Sequence, residues 1–76
     1  MNATEVELLV RGVIVHRGLP FTVLSVIGSP AGWNIVVRAG TGGIARFTVA
    51  GGRPVAMRAA IQATLEARSA RIAHSP

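Results

Sequence analysis

From residue 5 to residue 10 the side chains alternate: Val6, Leu8 and Val10 fall on one side, Glu5 and Glu7 on the other, with Leu9 breaking the polar set. A period of two marks a strand with one covered face. Gly12 interrupts the pattern, and Val13, Ile14, Val15 and His16 resume an apolar run. A glycine there suits a bulge or bend in one long strand over 5–16. Thr4 with Glu7 three residues later also matches a capping box, so a short helix competes for this segment. The β-branched run and Gly12 favour the strand.

Residues 17–20 hold Gly18 and Pro20 and read as a turn. In 21–27, Phe21, Val23, Ser25 and Ile27 oppose Thr22, Leu24 and Val26. Ser29, Pro30, Ala31 and Gly32 supply a reversal. In 33–38, Trp33, Ile35 and Val37 then oppose Asn34, Val36 and Arg38, the clearest contrast in the chain. After a glycine-rich turn at 39–43, a strand over 44–49 sets Ala45, Phe47 and Val49 against Ile44, Arg46 and Thr48. Strands this close in sequence pair antiparallel, because a parallel return needs a crossover of roughly a dozen residues.

Beyond Gly51 and Gly52 the period changes. Residues 54–72 are rich in Ala, Met, Leu, Gln and Arg, and Pro54 is tolerated in a first helical turn. Met57, Ile61, Leu65 and Ile72, with Ala60 and the stem of Arg68, form a stripe at intervals of three and four. Residues 73–76 read as a frayed tail. The expected architecture is a single α+β domain: a four-stranded antiparallel meander, strongly curled if it closes, with one C-terminal helix on one face, ββββα. One helix covers one face, yet the strands carry apolar residues on both sides, as in Val23 with Leu24 and Ile35 with Val36. Something must cover the second face, either a partner copy or the sheet itself.

Composition sharpens that expectation. Only 14% of the residues are charged, against roughly 25% in an ordinary domain, so part of the surface is suited to contact with another chain. There is no cysteine to staple so short a chain, and a shared core is the remaining device, which favours a homo-oligomer, a dimer first. The apolar runs are too short and interrupted for a membrane span, and the amino end lacks a secretory pattern, which makes the cytoplasm the default location. Eight basic residues, all arginine, face three glutamates, for a net charge of +5. Such an excess attracts polyanions, DNA or RNA among them.

Candidate chemistry is sparse. Glu5 and Glu7 read as a solvated strand face, His16 as a core or rim side chain, and the serines lack a base and orienter for nucleophilic catalysis. No metal-ligand spacing is present and no cofactor is implied, so an enzyme is not expected. Gly51-Gly52-Arg53-Pro54 opens a helix whose amino end attracts anions, with Arg53 and Arg58 beside it. Trp33 next to Arg38 and Arg46 on adjacent strands offers a modest stacking surface for a single strand, unless Trp33 faces the core with Ile35 and Val37. The first functional expectation is a small oligomeric nucleic-acid-binding module contacting phosphates through Arg38, Arg46, Arg53 and Arg58, with Trp33 alongside. The alternative is a structural or adaptor protein acting through an apolar protein–protein interface, with arginines at its rim.

Overall fold

A computed structural model describes residues 1–73, with side chains to Arg71. The chain runs α1 (Ala3–Arg17), β1 (Phe21–Ser29), β2 (Gly32–Ala39), β3 (Ile44–Val49) and α2 (Pro54–Ala73). The expected fourth strand at 5–16 is therefore a helix, and the order is α-βββ-α rather than ββββα. Of the tail expected at 73–76, Ala73 belongs to α2; residues 74–76 and the side chain of Ile72 lie outside what is described.

The physical reason for the helix lies in which valines are buried. Val6, Val10 and Val13 are fully buried at spacings of four and three, whereas Leu8 is 62% and Val15 81% exposed. The alternation of Val6, Leu8 and Val10 coexists with a helical stripe, and tertiary burial selects the stripe. Asn2, rather than Thr4, closes the first turn. Its side-chain oxygen accepts from the Glu5 N–H at 2.9 Å, and its own N–H donates to Glu5 Oε1 at 3.0 Å. Gly12 sits on the outer side of the helix, where an added Cβ would meet nothing.

The far end of α1 is stopped by Gly18, at φ 61°. The Gly18 N–H donates to the Val15 carbonyl at 3.3 Å and the Leu19 N–H to the Ile14 carbonyl at 2.9 Å. This pair of backward bonds is a Schellman motif, and it needs a residue at ease in the left-handed region. Leu19 and Ile14, both half-buried, complete it by packing on the core.

The sheet is open and antiparallel, in the order β1-β2-β3, so β1 and β3 are both edges. Its inner face carries Phe21, Val23 and Val26 from β1, Trp33, Ile35, Val37 and Ala39 from β2, and Ala45, Phe47 and Val49 from β3. Helix α1 packs against β1, α2 against β3, and the two helices against each other. Met57, Ile61 and Leu65 bring the fully buried stripe of α2 to this core. The result is two layers, with both helices on one face. Arg17 Nε and Glu66 Oε1, 2.7 Å apart, tie the end of α1 to α2, and Arg68 Nη2 donates to the Arg46 carbonyl on edge strand β3 at 3.1 Å.

One irregularity changes which residues face out. The β1–β2 register pairs Val23 with Val37 and then Ser25 with Val36, leaving Leu24 as an extra residue in a bulge. A bulge reverses the phase of everything after it. Val26 therefore turns inward and is half-buried against the core, while Ile27 turns outward and is 61% exposed. The face expected from simple alternation, Phe21 through Ile27, holds only as far as Val23.

Candidate interaction surface

The outer face of the sheet is covered by no element of the described chain. Three rows cross it: Thr22, Arg38 and Ile44; Ser25, Val36 and Arg46; Ile27, Asn34 and Thr48. Ile27 on β1, Val36 on β2 and Ile44 on β3 therefore lie on one diagonal. Ile27 and Ile44 are 61% and 56% exposed, and Leu24 at the bulge adds a further 42%-exposed leucine. Arg46, with Asn34 and Thr48, stands on one side of this apolar diagonal; Arg38, with Thr22 and Ser25, stands on the other. Thr48 Oγ1 donates to Asn34 Oδ1 at 2.8 Å and holds one flank in place.

Arg38 and Arg46 are diagonal neighbours on adjacent strands, with backbones roughly 7–8 Å apart, and both are exposed. Among the described residues they have no counter-charge on this face. All three glutamates belong to the helices: Glu5 closes the cap on Asn2, Glu7 pairs with Arg11 at 3.5 Å, and Glu66 accepts from Arg17 and from Gln62. The outer face therefore combines apolar side chains with positive charge alone.

Of the five residues read from the sequence as a nucleic-acid site, the fold brings together two. Arg38 and Arg46 share the outer face. Arg53 precedes α2, where its carbonyl accepts the Met57 N–H at 3.0 Å, and Arg58 is exposed on the first turns of α2, in the helix layer. Trp33 is on the inner face, half-buried against the core, opposite Gly28. Its partly open edge borders an open cleft of about 480 Å³ beside the 29–32 turn and Ala50–Gly51, which contains no ionisable group. His16 is exposed in the last turn of α1. Among the described residues no three His, Cys, Asp or Glu side chains come together as a metal site, and no helix is long and apolar enough to cross a membrane.

No family model, no curated protein and no solved structure matches the chain. The outer face must therefore be read from its own geometry. Reasoning from sequence overlooked Ile27 and Ile44 as surface residues. The signal for them was the presence of apolar residues on both sides of each strand; the bulge at Leu24 hid the particular assignment.

Proposed function

We propose that this chain is a structural or adaptor domain, without catalysis of its own, whose outer sheet face is a protein–protein interface. The observation that supports the reading is the apolar diagonal of exposed Ile27 and Ile44 with half-buried Val36 between them, on a sheet face that no element of the described residues covers. Contiguous exposed apolar surface rimmed by polar groups is typical of contact sites, and arginine is well suited to their margins.

A second reading, phosphate-backbone binding, is supported by the adjacency of Arg38 and Arg46 on the same face. It would use Arg53 and Arg58 only through a ligand long enough to reach the helix layer, and Trp33 not as part of that face. Apolar side chains between the two arginines favour a protein, because a phosphate backbone gains little from them.

Site-specific photo-crosslinking in the producing cell separates these readings. A photoreactive residue replaces Ile44 on the outer face or, as controls, Val15 on α1 or Val55 on α2, both highly exposed. The proposal expects a discrete adduct from position 44 that protease removes and nuclease leaves intact. A nuclease-sensitive adduct would favour the phosphate reading, and adducts confined to positions 15 and 55 would remove the outer face from consideration.

A further inference from the structure

Resting on the interface reading, we infer that the occupant of the outer face is an acidic amphipathic helix contributed by another protein. Size is the first argument. Three strands about 4.8 Å apart and about 20–30 Å long present a strip of roughly 300–400 Å². A standard interface takes about 800 Å² from each side, more than this strip supplies to a second copy of the domain. A single helix, about 10 Å in diameter, matches the width of three strands. The diagonal from Ile27 to Ile44 is roughly 17 Å long on strand spacings, which about three helical turns span.

Charge is the second argument and sets the chemistry of the partner. A second copy laid face to face would bring the two arginines of each chain together with no carboxylate between them, since all three glutamates are in the helix layer. Like charges opposed across an interface are unfavourable. Arg38 and Arg46 instead lie on opposite flanks of the apolar diagonal. The complementary ligand is a helix with an apolar seam bordered on both sides by Asp or Glu. Seated there, it would form a third layer over the sheet.

Three probes test this against the intact domain: a synthetic helical peptide with a leucine seam flanked by glutamates, the same peptide with lysines in place of the glutamates, and an oligo-dT of matched charge. Affinity is followed by fluorescence anisotropy from about 0.05 to about 0.5 M salt, where charge contributions are progressively screened. The contact surface is located from amide chemical-shift changes. The glutamate peptide is expected to bind about tenfold more tightly than the lysine peptide at low salt, the effect of a few exposed ion pairs together. The shifts should centre on Val36, Ile44 and Ile27. Arg38→Glu with Arg46→Glu, both at exposed positions, should retain the fold by circular dichroism and reverse the preference.

Equal binding of the two peptides on the outer face would overturn the acidic partner, and tighter binding of oligo-dT than of the glutamate peptide would do so in favour of nucleic acid. If no peptide shifts the outer-face resonances while crosslinking from position 44 still yields a protein adduct, the helical partner is wrong and the interface reading stands. Loss of that adduct as well would remove the interface reading itself.

Discussion

Gly32 shows how one residue joins sheet and loop. At φ 133° it occupies backbone space that other residues rarely enter, and a Cβ there would strike the Val49 carbonyl oxygen and lie 2.9 Å from Ala50 Cα. Glycine thus lets the start of β2 pass against the end of β3, where Trp33 pairs with Val49. Gly32→Ala is expected to cost about 2 kcal/mol or more, combining backbone strain with a main-chain collision. Chemical denaturation would measure this, and a loss below about 0.5 kcal/mol would show that the loop yields easily. Arg68 works differently. Its Nη2 reaches the exposed edge of β3 while its buried Nε has no hydrogen-bond partner among the described residues, so its stem and one donor serve the edge.

Among the elements, α1 carries the main departure from expectation. Val6, Val10 and Val13 point to the core at helical spacing, while the exposed Leu8 and Val15 supply the apolar residues that made a strand plausible. A segment with apolar residues on several sides satisfies both periods, and only the location of the core distinguishes them. The cap was legible, but shifted by two residues: Asn2 with Glu5 carries it, not Thr4 with Glu7. This assignment gives a paired prediction. Asn2→Ala should destabilise the domain by about 1 kcal/mol through loss of the cap, whereas Gly12→Ala should stabilise it by roughly 0.5–1 kcal/mol, because the added methyl meets open space within a helix. Thermal melting of the two variants checks both signs. If segment 5–16 were a strand bent at Gly12, Gly12→Ala would be harmful and Asn2→Ala nearly neutral.

The three remaining strands and α2 were legible because their punctuation is strong: turns at 29–32 and 39–43, Gly51-Gly52, then Pro54 opening a long Ala-rich stretch. The bulge at Leu24 was not, since Val23, Leu24, Val26 and Ile27 put apolar residues on both sides of the strand and an extra residue among them leaves no mark. Its effect reaches the candidate surface, because it puts Ile27 on the outer face, opposite to Phe21 and Val23 with which simple alternation grouped it. Arg38 and Arg46 could be placed together from alternation and hairpin pairing alone. The separation of Trp33, Arg53 and Arg58 from them depends on the helices covering the face to which Trp33 belongs.

At the scale of the whole molecule, the glutamates and the arginine pair of the outer face belong to different layers. The helix layer holds all three glutamates and a buried core shared with the inner sheet face, while the outer face holds Arg38, Arg46 and the apolar diagonal. Val15 and Val55 are exposed on separate helices, whereas the exposed Ile27 and Ile44 share one sheet face with Arg38 and Arg46. The most direct measurement of the central claim is therefore to separate stability from association in the double variant Ile27→Thr with Ile44→Thr, carrying a photoreactive residue at Thr48 on the same face. The variant is expected to keep its stability within about 1 kcal/mol of the parent, as for exposed substitutions, and to lose the protein adduct that the parent forms from position 48. Unfolding of the variant would show that these residues belong to the domain's own core, and an undiminished adduct would show that the diagonal is not what the partner grips.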